Sequence, residues 1–524
     1  MYERLAQLAT GLVPPNVITA KPGEETIEVS VPASTAAALY EKVRNTLDYQ
    51  DEHLLRRNAI HRILKRFRGS NESSDVASQA LLKELVWAKY LPNKSIPIVL
   101  ALQVAIILAK YERLFAAAEV AGESRERLAQ WLLDVVSTEI EYTLAPPVAD
   151  EALASFMYEE MRQRIDWDAR LPGTPEERDL RLYIAIHKTL LKSNLPTLRF
   201  RLLTLYYPDW AGTKTPAERV EAVAAGLPNV VATIDRELSY PLTERLARMM
   251  RRRAGIFRVL RDALDANRAN VAGMLTDPST LDAAVTAALR HRTADFRTRL
   301  RRTVIRAVAF LFITKMLLAL LIEVPYDILA SEEVPLYPLL VNIVFHPLFL
   351  VLLSVTVTLP EKKNTEDYIA AVRAIAVGAD HPLLHLRVKR ESRGTWTSVF
   401  TSIYALLFVA VYTAIGWALA SLGFHGLSIA LFLFFLSLVT FFGIRIRSSA
   451  RDVVASDARS GIVGTTFDML MLPIVRAGAW LSNRVAKINV FIYFFDFIIE
   501  APLKVAIEFI ESWLAFIREK KEEI

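Results

Sequence analysis

The 524-residue chain contains no cysteine. No disulfide can form, which suits a domain that folds in the cytosol, and no paired-cysteine metal spacing exists. Phosphate-binding loops ending in Gly-Lys-Ser or Gly-Lys-Thr are also absent, as are His-Glu-x-x-His and Gly-x-Ser-x-Gly. The eight histidines are scattered, and His291, His381, His385 and His425 read as surface or loop residues. No catalytic residue, metal ligand or cofactor is therefore expected, and a non-enzyme is favoured over an enzyme. The first 25 residues lack an apolar core of signal-peptide length, so no secretory leader is predicted there.

What the chain does have is grease and arginine. It is 53% hydrophobic, with a mean hydropathy of +0.27, which fits a soluble part joined to a membrane part. The two meet in the stretch Asp277–Val324. Asp277 is placed to cap a helix whose first position is Pro278. The helix then turns basic at Arg297, Arg299, Arg301, Arg302 and Arg306, and runs without a break signal into AVAFLFITKMLLALLIEV. Arginines at such a boundary are drawn to anionic headgroups at roughly 1 kcal/mol each. Arg445 and Arg447 take the same role after the last apolar stretch.

Residues 1–33 read as irregular, with one short strand at Thr26–Val31. Residues 34–300 read as an all-α cytosolic domain, with helices near 124–144, 148–167, 175–193, 196–206 and 242–265. Thr174-Pro175 and Thr215-Pro216 each predict a threonine cap followed by proline. Ile96–Ala109 is apolar all round, but its fourteen or so residues fall short of the ~20 that a span needs; it predicts a buried central helix. The aromatic turn Tyr206–Trp210 predicts a helix end closed against the core.

Residues 301–447 predict a transmembrane domain with spans at about 304–324, 336–359, 399–422 and 427–446. The connections between spans one and two and between three and four hold no Lys or Arg, and Asp327 falls in the first of them. The connection 361–397 and the segment after span four are basic. The positive-inside bias then puts both termini on the cytoplasmic side of a multi-pass inner-membrane protein. Residues 448–524 predict a cytosolic or interfacial helical tail. Its last part is amphipathic, with Leu503, Ile507, Ile510, Trp513, Leu514 and Ile517 on one face. The stretch 489–510 is left open between re-entrant, interfacial and spanning forms, a span there burying Asp496, Glu500 and Lys504 at high cost.

Ionisable residues inside spans are functional candidates by default. Lys315 lies near the middle of span one, and His346 sits at matching depth in span two, with Asn342 one turn away. A neutral imidazole could accept a hydrogen bond from the ammonium. One reading is a polar clamp between spans one and two; the other is a proton- or ion-responsive site. The arginine-rich helices of 245–306 carry about fifteen arginines against five aspartates, and lipid headgroups are favoured over nucleic acid as their partner.

Three stretches, LLRRNAIHRIL, FFLSLVTFFGIRIR and INVFIYFFDFIIEAPLKVAIEFIESWLAFIREKKEEI, resemble an uncharacterised family of multi-pass membrane proteins from candidate-phyla bacteria with reduced genomes. The resemblance implies inner-membrane residence and no assigned activity. The expected function is a non-enzymatic membrane scaffold that presents a helical domain to a protein partner, with homo-oligomers allowed. The alternative is a transporter or channel using the Lys315 and His346 site.

Overall fold

The structure, a computed structural model, describes residues 3–12, 17–29, 41, 54–68, 73–119, 124–331, 336–355, 362–378, 384–386, 395–450, 462–485 and Trp513. The fold is all-α, 82% helical with almost no strand among the described residues. The chain divides into two compact units. One comprises Thr10–Arg162, Gly173–Met250 and Asn489–Ile524; the other comprises Met1–Ala9, Gln163–Pro172 and Arg251–Ile488. The amphipathic tail expected after 489 lies outside the described residues except for Trp513, which is exposed.

After a short α1 (Glu3–Gly11), most of which belongs to the second unit, the first unit is built from α2 (Leu55–Phe67), α3 (Ser74–Trp87), α4 (Val99–Glu119), α5 (Arg125–Leu144), α6 (Val148–Arg162), α7 (Pro175–Leu190), α8 (Leu195–Tyr206), α9 (Ala217–Ala225) and α10 (Leu227–Leu238). The helix ends expected near 144, 148 and 206 are found there. Thr174 caps α7 by accepting from the Glu177 N–H at 3.3 Å. Trp210 is fully buried, so the aromatic turn does close on the core.

Three expectations need correction. The apolar stretch at Ile96–Ala109 is not buried all round: α4 buries Leu100, Val104 and Ile107 but leaves Val99, Leu102 and Ile106 half exposed or more. The central helix is α5 instead. Its sequence looks polar, yet it buries Trp131, Leu132, Val135 and Ile140 together with Asp134 and Glu139, because both acids find cationic partners. Of the strand expected at Thr26–Val31, residues 26–29 are described and make one isolated bridge, Thr26 to Pro97, flanked by the Ile27 N–H donating to the Ile96 carbonyl and the Ile98 N–H donating to the Glu25 carbonyl. Thr215 does not cap α9; its hydroxyl donates to the Trp210 carbonyl at 2.6 Å.

The second unit is organised on one long helix. α13 runs over Pro278–Leu318, capped by Asp277, which accepts from the N–H groups of Ser279 and Thr280 at 3.0 and 3.2 Å. The preceding helices are α11 (Pro241–Ala266), which straddles the division of the chain, and α12 (Val271–Thr276). The two units part at Met250, inside α11, and α13 runs unbroken across residue 300. A five-residue π-helical turn, Ala319–Glu323, follows α13 directly, then α14 (Val324–Ser331). Pro325 explains it: a proline inside a helix removes one N–H and clashes with the carbonyl four residues back, and a wider turn relieves both.

With α13, the helices α15 (Leu336–Val355), α17 (Thr395–Ser421) and α18 (Gly426–Ala450) make four among the described residues that are long and apolar enough to cross a membrane. Their outward side chains are bare: Leu321 is 73% exposed, Leu406 72% and Trp417 74%. Apolar surface of that extent demands lipid or another apolar cover. The basic connection between spans two and three is not simply a loop. It holds α16 (Lys362–Val377), whose Arg373 pairs with Asp282 of α13, and a strand β2 (Leu384–Leu386). β2 pairs in parallel with β1 (Ile165–Trp167), a contact no pattern in the sequence announced. α19 (Ile462–Val485) narrows the tail expected from 448. It packs on α17 and α18, with Gly478 pressed against the Ser437 carbonyl and Phe441, where a side chain would not fit.

Candidate functional site

The site forms where the π-helical turn meets α15. Lys315 lies nine residues beyond Arg306, about 13 Å along the helix and so near the middle of an apolar layer of about 30 Å. In an unbroken α-helix, Glu323 would be rotated roughly 80° away from Lys315. The wider i→i+5 turn takes up most of that offset, so both side chains face the interior. Lys315, Glu323, Asp327 and Asn342 are each 1% exposed, and His346 is fully buried.

Asn342 is the bridge. Its Oδ1 accepts from Lys315 Nζ at 2.6 Å, and its Nδ2 donates to Glu323 Oε1 at 2.6 Å. An amide can do this because it carries an acceptor and two donors at one end. The Lys315 ammonium also lies 4.3 Å from the centroid of the Phe435 ring on α18, a cation–π contact. The second oxygen of Glu323, Oε2, is buried without a hydrogen-bond partner.

The structure does not join Lys315 to His346 directly, as expected from their depth. His346 turns instead toward backbone oxygens, with Nδ1 3.2 Å from its own-helix Asn342 carbonyl and Nε2 3.0 Å from the Phe432 carbonyl of α18. A carbonyl only accepts, so the Nε2–H tautomer makes the interhelical bond. Phe432 packs on the imidazole with ring centroids 4.6 Å apart.

Two carboxylates were missed. Glu323 was read as the end of an apolar span and Asp327 as a loop acid. Asp327 is buried, and His425 Nδ1, in the turn before α18, lies 2.9 Å from its Oδ1. Pro325 between two acids spaced four apart was the available signal. The arginines fall elsewhere: Arg297, Arg299, Arg301, Arg302, Arg306 and Arg445 all have exposed side chains, and that of Arg447 lies outside the described set. Among the described residues, no group of three or more His, Asp or Glu could hold a metal ion.

The first unit holds a buried ion pair of its own at Lys110 and Glu139. Lys110 Nζ donates to Glu139 Oε1 at 2.6 Å and to the Trp210 carbonyl at 2.7 Å. Tyr111 donates to Glu139 Oε2 at 2.7 Å, and the Gly212 N–H reaches Oε1 at 2.8 Å. Burial pushes the Glu139 carboxyl up and the Lys110 ammonium down, while each charge opposes the other's shift. Both carboxylate oxygens of Glu139 and the Lys110 ammonium are hydrogen-bonded, so the cluster pins the 206–217 turn to α4 and α5. A groove of about 1130 Å³ opens alongside α4, lined by Leu64, Leu102, Ile106 and Phe115 among others. Two of its polar lining residues are occupied: Ser74 donates to Glu112, and Arg68 lies 5.1 Å from the Phe115 ring centroid.

Comparison with family models, with curated proteins and with solved structures finds no match for the chain.

Proposed function

We propose that the protein is a multi-pass inner-membrane scaffold whose apolar bundle anchors a helical domain for a protein partner. The observation that carries this reading is the pattern of interhelical polar bonds. Lys315–Asn342 links α13 to α15, His346–Phe432 links α15 to α18, and Asp327–His425 links α14 to the turn before α18. Bonds arranged this way lock helices together. The arginines of α13 and Arg445 would then meet anionic headgroups, with both termini cytoplasmic.

A second reading rests on a different observation. Glu323 Oε2 is a buried carboxylate oxygen with no partner, which a clamp has no need to retain. On that reading the cluster binds or passes a small ion. Because the chain has no native cysteine, single cysteines can be placed at 311–319 and 342–350 without background. Protection from a water-soluble maleimide in membranes supports the scaffold; labelling at mid-depth overturns it and supports an aqueous path. Reporter tags on the two ends test the orientation, and opposite sides would refute it.

A further inference from the structure

The polar groups at the turn end of the bundle are ordered by their access to water. His425 is 35% exposed in its side chain, and its Nδ1 lies 2.9 Å from buried Asp327. Asp327 follows Glu323 by four residues on one run of helix, so their carboxyls share a face. Glu323 Oε1 accepts from Asn342, whose Oδ1 accepts from Lys315. The series therefore runs from solvent to mid-depth as imidazole, carboxyl, carboxyl, amide and ammonium.

Its charge does not balance. With both histidines neutral, one ammonium faces two carboxylates, a net of minus one in a low-dielectric bundle. The neighbours of Lys315 and Asn342 do not correct this: His346 is committed to backbone oxygens, and Phe435 contributes only a ring. One added proton brings the cluster to neutrality, which burial strongly favours. That proton has two seats. On His425 it makes an imidazolium–Asp327 pair at the rim. On Glu323 Oε2 it occupies a buried oxygen that lacks a hydrogen-bond partner.

We propose that His425, Asp327 and Glu323 form a one-ended proton path and that Glu323 Oε2 is the atom that binds the proton. The proton enters at His425 Nε2 from water, and the imidazolium gives its Nδ1 proton to Asp327, returning to the neutral ring. Asp327 passes a proton to Glu323 Oε2 and regains its charge. No bond between heavy atoms changes, and no electrons move. The ligand is the proton itself, and the path rests on the ion-responsive reading of the site.

The test is infrared spectroscopy on the full chain reconstituted in liposomes, following the carbonyl stretch of protonated carboxyl groups as H₂O is exchanged for D₂O. Glu323→Gln, which keeps an oxygen for Asn342, removes one component of that band. His425→Phe and, as a second variant, Asp327→Asn keep that component but slow its deuterium shift roughly a hundredfold, the low end of what a positioned proton-transfer group contributes. A band unchanged in Glu323→Gln overturns both the proton site and the ion-responsive reading. A Glu323 band that exchanges at the wild-type rate in both His425→Phe and Asp327→Asn overturns the path alone.

Discussion

Replacing Asn342 by leucine tests the clamp where it is most concentrated. The side chain holds two hydrogen bonds, each 2.6 Å long, one to a cation and one to an anion. Interhelical hydrogen bonds in membranes average about 0.6 kcal/mol and reach about 1.7, because the unfolded helices find other partners in the bilayer. Two such bonds set the expected loss at about 1 to 3 kcal/mol. Leucine restores some packing, and Lys315 and Glu323 can drift together on their shared face, so the lower half of that range is the better figure. The assay is reversible unfolding of the purified protein in mixed micelles, run as a cycle with Lys315→Met. If the bridge is real, the two changes are less than additive, with a coupling of about 0.6 to 1.7 kcal/mol. Strict additivity would refute the bridge, since each substitution would then be removing something the other does not touch.

Other perturbations probe the remaining polar clusters and the tail. Lys110→Met strands Glu139 in the core with Tyr111 and Gly212 as its other donors; breaking a buried pair costs about 3 to 5 kcal/mol, and Lys110→Met with Glu139→Leu recovers most of it, read by Trp fluorescence on denaturation. His61 is held down to about 4 by burial first and the Arg57 charge second; Asp134, 3.4 Å away, pulls the other way but already pairs with Arg199. A depressed histidine is neutral when folded and takes its proton when unfolded. Stability is therefore complete above about pH 6.5 and is lost by about 3 kcal/mol as pH falls toward 4, whereas His61→Gln flattens that part of the melting profile. Gly478→Leu forces a side chain into the Ser437 backbone; it destabilises by about 1 to 3 kcal/mol and exposes a Ser437→Cys label in membranes, and unchanged protection there would place α19 elsewhere.

The long helix from Asp277 was legible because its cap, its basic girdle and its apolar run are all local signals. The same holds for the spans, whose period and length need no partner to be recognised. What local pattern could not carry was pairing. α5 looks too polar for a core helix until Lys110 and Arg199 arrive from 29 and 65 residues away to satisfy Glu139 and Asp134. Thr215 has the sequence of a cap, but the Trp210 carbonyl claims its hydroxyl. Lys315, Asn342 and His346 were identified as residue types and depths. Their connectivity was not, because it turns on a π-helical turn that moves Glu323 into line and on a carbonyl of α18 that competes for the imidazole.

The clamp and the proton path are not rival accounts of one contact, because they use different oxygens of the same carboxylate. Oε1 is bound by Asn342 and belongs to the lock between α13 and α15. Oε2 is buried and unpartnered, and belongs to whatever the cluster exchanges with the turn end of the bundle. A bundle selected only to hold together would gain from losing that carboxylate, since an apolar side chain of similar volume in place of a half-satisfied buried acid is often neutral or stabilising. Its retention beside a lysine near mid-depth, with a second acid one turn away and a half-exposed histidine beyond, therefore weighs toward proton exchange even if the helices chiefly serve as an anchor. The lock supplies the rigidity that keeps Oε2 from folding back onto the Lys315 ammonium. Loosening Asn342 should then weaken the bundle and quench proton binding together, whereas substitution at His425 loses one rim contact and slows proton exchange while Glu323 Oε2 keeps its proton.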